Sequence, residues 1–137
     1  MNEFDYLRDC IKTDIGPSPI HGIGTFALRD IKRGESLFER WEGDTSTYTL
    51  SHSQFEQLPD YVMGLILKSY ENLTGKYPFI WFKLYKDGYF NLSNPLAYTN
   101  TLGIENANFS SHEKIALKDI KVGEELVGTY DLNSTIL

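Results

Sequence analysis

Two closely spaced glycines mark the first segment whose residue types are suited to holding a ligand. Residues 21–27 read His-Gly-Ile-Gly-Thr-Phe-Ala, which matches the pattern G-x-G-x-x-A of dinucleotide-binding turns. Asp44 follows Gly24 by twenty residues, where the ribose-binding acid of such a site is expected. A glycine-rich segment is also typical of a plain β-turn, or of a turn that lets a ligand lie directly against backbone amides.

The residues around this turn argue against a dinucleotide site. Such a site needs a strand before the glycines and a helix after them. Pro17 and Pro19 precede the turn, and Gly34 would interrupt any helix within two or three helical turns. The sequence therefore favours a β-turn, or a turn that binds another kind of ligand.

A repeated pattern of eleven residues indicates which elements position this turn. Residues 27–37 (Ala-Leu-Arg-Asp-Ile-Lys-Arg-Gly-Glu-Ser-Leu) recur as residues 116–126 (Ala-Leu-Lys-Asp-Ile-Lys-Val-Gly-Glu-Glu-Leu), with eight identical positions. Each copy is typical of a strand, a turn in which glycine takes a positive φ, and a second strand. Two copies are too few for a solenoid. We therefore predict two similar hairpins that lie side by side in one β fold.

Helices are expected at the start of the chain and between the two copies. Phe4, Leu7 and Ile11 lie near helical spacing. Residues 53–56 (Ser-Gln-Phe-Glu) have the form of a capping box, and Asp60 follows Pro59 as the start of a second helix. The side chains expected to point inward from this second helix are Val62, Met63, Ile66, Leu67 and Tyr70.

A β-hairpin is expected after this helical insert. Residues 79–84 and 89–92 are typical of strands, and they flank Lys86-Asp87-Gly88. The Asp-Gly pair favours a tight hairpin turn between them. The chain is thus predicted to be mainly β with one helical insert at about residues 52–72.

Together these motifs resemble the SET domain family of protein lysine methyltransferases over residues 18–130. The family opens with a serine, a G-x-G turn, Phe-Ala and a later Ile…Gly-Glu, and it closes with Gly-Glu-Glu-Leu followed by a tyrosine. The matching residues are Ser18, Gly22, Gly24, Phe26, Ala27, Ile31, Gly34 and Glu35, then residues 123–126 and Tyr130. The resemblance implies one SET domain over residues 1–137, in a short form without a zinc-binding segment after it. Its fold would be mainly β (α+β), a β-clip of small sheets with a helical insert and a C-terminal pseudoknot of residues 95–109 and 124–132.

The family's Asn-His-Ser…Pro-Asn segment corresponds to residues 100–106 here. Asn100 and Asn106 keep the spacing of the two asparagines, whereas Thr101 replaces the histidine. Leucine replaces the serine and glutamate replaces the proline, at positions 102 and 105. This segment departs furthest from the family pattern, and the departure concerns cofactor affinity more than fold.

The resemblance implies S-adenosylmethionine as cofactor and assigns roles to individual residues. Gly22, Ile23 and Gly24 would contact its amino-acid end, Asn100 would hydrogen-bond its ammonium or carboxylate, and Thr101 would belong to the same site. Tyr130 would be catalytic, and Tyr98 would line the channel of the substrate lysine. From the residues alone, Asn100 is also typical of a turn. Tyr130 and Tyr98 are also typical of a half-buried strand tyrosine and a core aromatic.

The composition and net charge of the chain limit the kinds of partner that it is expected to bind. With 41% apolar residues in 137, the chain has enough apolar side chains for one real core. A net charge of −6 argues against nucleic acid and suits a basic protein substrate. Cys10 is the single cysteine and the three histidines are scattered, so neither a disulfide nor a metal site is expected. The longest apolar stretch, residues 61–67, is too short to span a bilayer, so a cytoplasmic protein is expected.

Two alternatives to an active enzyme remain open at this stage. The hairpin pattern also occurs in small β-clip domains that bind ligands without chemistry. A SET-fold protein that has lost catalysis and binds a cofactor or a protein is the second alternative. Residues 131–137 contain no cysteine and no aromatic residue to cover the adenine. Either the adenine is left partly open, or a second chain or the substrate covers it, and a homodimer is expected on this ground. Leu132, Ile136 and Leu137 would lie at its contact.

Overall fold

The computed structural model describes residues 1–70, 78–88, 98–101 and 104–129. These residues belong to two compact units. The described parts of Met1–Ile11 and Glu39–Leu92 form the first unit, and those of Lys12–Phe38 and Ser93–Leu137 form the second. Tyr130 and residues 131–137, including Leu132, Ile136 and Leu137, lie outside the described residues. That the whole chain is one SET domain stays a prediction.

Short antiparallel sheets dominate the structure, as predicted for the mainly β (α+β) class. Each described sheet has two strands, and the pairs are β1 with β2, β3 with β4, and β5 with β6. The strands are β1 (Thr13–Pro17), β2 (Ile23–Ala27), β3 (Ser46–Ser51), β4 (Phe79–Leu84), β5 (Phe109–Ser110) and β6 (Ile115–Ala116). The helices with described bounds are α1 (Glu3–Asp9), α2 (His52–Phe55) and α3 (Asp60–Ser69), and a 3-10 turn covers Ile104–Asn106.

The helices of the first unit begin close to where the sequence places them. At the N-terminus of α1, Asn2 accepts a hydrogen bond from the backbone N–H of Asp5 at 2.8 Å, which satisfies a donor left free by the first turn. α3 begins at Asp60 as predicted. The capping box, however, lies two residues earlier than expected, at Ser51 and Gln54 of α2.

One predicted core position of α3 is wrong. Leu67 is 48% exposed, whereas Val62, Leu65 and Ile66 are buried. The last three lie at i, i+3 and i+4, which places them on one face of a helix, and Leu67 lies one residue beyond that face. Within the described residues, no helix is both long and apolar enough to cross a membrane.

The strand predicted at residues 79–84 is β4, and its described partner is β3. The register pairs Tyr48 with Phe82, and their rings stack at a centroid distance of 6.1 Å. The predicted turn is present up to Gly88, whose N–H donates to the carbonyl of Tyr85 at 2.9 Å, and Asp87 has a φ of +58°. Residues 89–92, the predicted second strand of this hairpin, lie outside the described residues.

In the second unit the two copies of the repeat lie side by side, as predicted, and they run antiparallel. Ile31 and Ile120, each 1% exposed, exchange both backbone hydrogen bonds at 2.7 Å. The flanking bonds follow the same approximate two-fold symmetry: Gly123 N–H to Ala27 carbonyl (2.8 Å) and Gly34 N–H to Ala116 carbonyl (2.9 Å).

Residues that are identical in the two copies of the repeat have structural roles at its turns. Gly34 and Gly123 both have a φ of +88°, a conformation that strains other residues. Asp30 accepts from the backbone N–H of Val122 in the other copy, and Asp119 accepts from that of Arg33, both at 2.9 Å. Each copy therefore fixes the turn of the other. The glycine turn is joined to this pair of copies through β2, which ends at Ala27, the first residue of the first copy.

Candidate functional site

The glycine turn joins two antiparallel strands. Gly16 of β1 pairs with Gly24 of β2, and Ser18 closes the loop by donating its N–H to the carbonyl of Gly22 at 2.9 Å. Gly22 has a φ of +47°, so glycine is required there for the turn itself. A strand follows the turn where a dinucleotide site would need a helix, so the segment is a hairpin loop.

Residues 125–128 lie between two asparagine-bearing segments. On one side Asn100 pairs in parallel with Val127, and its carbonyl accepts from Gly128 N–H at 2.9 Å. On the other side Asn108 exchanges backbone and side-chain bonds with Val127 and donates to the carbonyl of Glu125, all at 2.8–2.9 Å. Residues 125–128 are thus bonded on both sides, and the threading of a C-terminal pseudoknot stays a prediction.

Asn108 is a residue that the sequence analysis missed. The family spacing pointed to Asn106, whose side chain is exposed in the 3-10 turn. Asn108 is 7% exposed and uses both its amide oxygen and its amide nitrogen to hold the neighbouring segment. The available signal was the position of Asn108 between two apolar residues, Ala107 and Phe109, which favours burial. A buried side-chain amide needs hydrogen-bond partners for both its oxygen and its nitrogen.

The amide nitrogen of Asn100 connects the turn to the C-terminal segment. It lies 2.8 Å from Glu125 Oε2, 3.2 Å from Ser18 Oγ and 3.2 Å from the Ile23 carbonyl. The carbonyl of His21 is 3.3 Å away. Ser18 Oγ in turn donates to Glu125 Oε1 at 2.7 Å. We call Ser18, Asn100 and Glu125 the polar cluster.

Gly24 is needed because the polar cluster lies directly against it. A Cβ atom at position 24 would come within 2.8 Å of Glu125 Cδ and 2.9 Å of Ser18 Cβ, and it would overlap Glu125 Oε2. Gly24 therefore serves the site by making room for Glu125. The role of Glu125 was also missed, although it is one of three positions where the two repeats differ, with Ser36 as its counterpart.

A depression of about 390 Å³ opens beside the turn. Its lining residues are His21, Gly22, Ile23, Tyr98, Thr99 and Asn100. Of the residues predicted to bind the cofactor, Gly22, Ile23 and Asn100 line it, whereas Gly24 and the half-buried Thr101 do not. Tyr98, predicted for the lysine channel, lines it at 39% exposure and is therefore not a core aromatic.

Three charged side chains of the second unit lie close together at the first copy of the repeat. Lys12, only 7% exposed, donates to the carbonyl of Ser36 at 2.6 Å and lies 3.4 Å from Glu35. Arg29 contacts the same carboxylate at 3.0 Å. Partial burial raises the pKa of Glu35, but the backbone N–H of Lys32 and these two cations lower the pKa more, so the net shift is downward.

Metal ligands do not cluster in the part of the chain that the structure describes. No group of three or more His, Cys, Asp or Glu side chains there is placed to hold an ion. His21, His52 and His112 are exposed, and of these His21 lines the depression. The described site offers backbone groups, the Asn100 amide, the Ser18 hydroxyl and the Glu125 carboxylate.

No protein-family model matches this chain, and no curated protein matches it. Solved structures that resemble it include a Plasmodium falciparum protein described as a histone methyltransferase, at 20% identity and a TM-score of 0.38, covering 87% of this chain and 92% of that one. Two structures of the Chaetomium thermophilum Polycomb Repressive Complex 2 are each 24% identical. One, a humanized mutant bound to an inhibitor, has a TM-score of 0.41 and covers 88% of this chain and 15% of that one. The other, bound to S-adenosylmethionine, has a TM-score of 0.39 and covers 91% and 16%.

This chain therefore spans about 15% of the Polycomb chains it resembles. TM-scores below 0.5 mean that the backbones superpose only in part.

Proposed function

We propose that this chain is a methyltransferase that uses S-adenosylmethionine to methylate a lysine of a protein substrate. The observation that carries the proposal is the meeting of three motif segments at one site. Asn100 Nδ2 bonds the glycine turn at Ile23 and the Gly-Glu-Glu-Leu segment at Glu125. These partners lie 77 and 25 residues away in sequence. Motifs that matched the SET pattern by chance would have no reason to be bonded to one another.

The depression suits the amino-acid end of the cofactor. Its volume of about 390 Å³ falls within the range of small-molecule sites, roughly 300–1,000 Å³. Gly22 has no side chain to hold a ligand away from the backbone, and a Cβ there would meet nothing within 4 Å. Asn100 at the edge of the depression would hydrogen-bond the ammonium or carboxylate of the cofactor.

When bound, S-adenosylmethionine supplies a methyl group on a sulfonium centre. The substrate lysine must arrive neutral, although a free lysine titrates near ~10.4. An apolar channel lowers that pKa by removing water from the ammonium form. Ile23 and Tyr98, 49% and 39% exposed, offer apolar surface beside the turn for this purpose. Alignment of the amine with the methyl group would supply most of the rate.

Tyr130 is the proposed catalytic residue, and it lies outside the described residues. The chain leading to it is held firmly. Gly128 N–H donates to Asn100, and Thr129 exchanges two bonds with Ser111 at 2.8 and 3.1 Å. This anchoring supports a role in which the Tyr130 hydroxyl orients the lone pair of the lysine amine and interacts with the charge that develops there.

The second candidate is a SET-fold module that binds a cofactor or protein without catalysis. Two observations favour it: Thr101 replaces the family's histidine, and the amide nitrogen of Asn100 already bonds protein oxygens. In either case the net charge of −6 favours a basic protein partner. The homodimer stays a prediction.

Methyl transfer from labelled S-adenosylmethionine to basic proteins tests the proposal, with Tyr130→Phe as the matched variant. The substitution keeps the ring and removes one hydroxyl. Loss of such a transition-state contact typically costs ~3 kcal/mol, about a hundredfold in rate, while cofactor affinity stays unchanged. Normal turnover by Tyr130→Phe would contradict the assignment of Tyr130. A wild-type protein that binds the cofactor and methylates nothing would favour the non-catalytic module.

A further inference from the structure

The carboxylate of Glu125 has two partners in the polar cluster. Oε2 accepts from Asn100 Nδ2 at 2.8 Å, and Oε1 accepts from Ser18 Oγ at 2.7 Å. A charged acceptor strengthens both bonds, because hydrogen bonds to ionised groups are about twice as strong as neutral ones. Glu125 thus binds Ser18, which precedes the glycine turn, and Asn100, which lies at the edge of the depression.

The surroundings of Asn100 allow one orientation of its amide. Each of the four hydrogen-bond partners of Nδ2 is an oxygen, and Ser18 Oγ has already donated its hydrogen to Glu125. Rotating the amide by half a turn would bring Oδ1 against the Glu125 carboxylate, where two acceptors repel. Within residues 1–70, 78–88, 98–101 and 104–129, no donor is bonded to Asn100 Oδ1.

We propose that Glu125 is a positioning residue that fixes the Asn100 amide so that Oδ1 is kept as an acceptor for the ligand. The ligand group this orientation selects is a cationic amine, and a carboxylate would be repelled by Oδ1. The inference rests on the proposed function in taking that amine to be the α-ammonium of S-adenosylmethionine. Glu125 itself acts through Asn100 and need not touch the ligand.

Glu124 is the matched control. It is the adjacent glutamate, it is exposed, and its carboxylate accepts from the backbone N–H of Lys121 at 2.9 Å. Glu124→Gln keeps an acceptor for that bond. Glu125→Gln has nearly the same shape as glutamate, but it places an NH₂ group among the donors of Ser18 and Asn100. The two variants remove the same charge from adjacent positions, so only the effect on the polar cluster differs.

The first test uses the protein without any ligand. The side-chain amide protons of Asn100 are followed by NMR in the wild type and in both variants. We expect slow hydrogen exchange of this amide in the wild type and in Glu124→Gln, and at least tenfold faster exchange in Glu125→Gln while the backbone spectrum stays dispersed. Unchanged exchange in Glu125→Gln, or equal acceleration in Glu124→Gln, would overturn the positioning role whether or not the cofactor binds.

The second test measures cofactor affinity in a double-mutant cycle. Glu125→Gln should weaken S-adenosylmethionine about tenfold, the effect of losing one hydrogen bond to a charged group. Added to Asn100→Ala it should weaken binding no further, because Glu125 acts through that amide. Additive losses would mean that Glu125 supports the fold in general, and they would overturn the inference. Absence of wild-type binding would refute the proposed function and the α-ammonium as ligand, and the exchange measurement would still decide the role of Glu125.

Discussion

Replacing Gly24 with alanine tests the close packing of the polar cluster against the turn. The new Cβ would lie 2.9 Å from Ser18 Cβ and 2.8 Å from Glu125 Cδ, well inside van der Waals contact. Gly24 has no positive φ, so backbone strain does not contribute. The residue able to yield is Glu125, and by moving it would give up its bonds to Ser18 and Asn100.

The expected cost follows from those two bonds. A hydrogen bond to a charged group contributes about 1.5–3 kcal/mol, and part of this returns when the displaced carboxylate meets water. We therefore expect Gly24→Ala to lower the free energy of unfolding by about 2 kcal/mol. For a chain of this size the melting temperature would fall by roughly 6 °C. Affinity for S-adenosylmethionine should fall with it, because Asn100 loses its anchor.

Urea and thermal denaturation measure this cost, with Gly64→Ala in α3 as the control. A Cβ at position 64 would meet nothing within 4 Å, and alanine favours a helix by about 1 kcal/mol, so this variant should be slightly more stable. In a Glu125→Ala background, Gly24→Ala should cost clearly less, because the main clash has gone. An equal cost in both backgrounds, or no cost in the wild type, would refute the packing argument.

Four further variants probe separate parts of the second unit. Asn100→Ala should weaken cofactor binding about tenfold by calorimetry, whereas Asn106→Ala, in an exposed position, should leave affinity unchanged. Gly128→Ala should lower the free energy of unfolding by about 2 kcal/mol in urea, because its Cβ would lie 2.8 Å from the ring of the fully buried Phe109; unchanged stability would contradict this. The pKa of Glu35 in the folded protein lies below the ordinary value of 4.5, so its ionised carboxylate stabilises the fold at pH values above 4.5. This stabilisation is lost as the pH falls through the folded-state pKa. Glu35→Gln should therefore flatten the pH dependence of unfolding below pH 4.5, and an unchanged profile would remove Glu35 as its cause.

The features that the sequence predicted well are local or repeated. The leading helix, the start of α3 and the strand at residues 79–84 follow from spacing and capping residues within a few positions. The pairing of the two repeats could be predicted because both copies carry the same glycine turn. Symmetric hairpins of this kind can satisfy each other's backbone groups, as the bonds between Ile31 and Ile120 show.

The contacts within the polar cluster could not be predicted from the sequence. The Glu125 carboxylate bonds Ser18, which lies 107 residues away, and no local pattern encodes that contact. The same limit explains why family spacing pointed to Asn106 while Asn108 holds the C-terminal segment. Cofactor binding by Gly24 stays a prediction, and what the structure shows at this position is space for the side chain of Glu125, which comes from a distant segment.

Binding of S-adenosylmethionine to the wild-type protein tests the central claim most directly. Isothermal titration calorimetry, with S-adenosylhomocysteine as competitor, is the measurement. The proposed function predicts saturable binding of one cofactor per chain with a dissociation constant below roughly 1 mM, equivalent to about −4 kcal/mol, and weaker binding in Asn100→Ala. No heat and no competition at millimolar cofactor would contradict it, and would leave the polar cluster as a structural feature of a non-catalytic β domain.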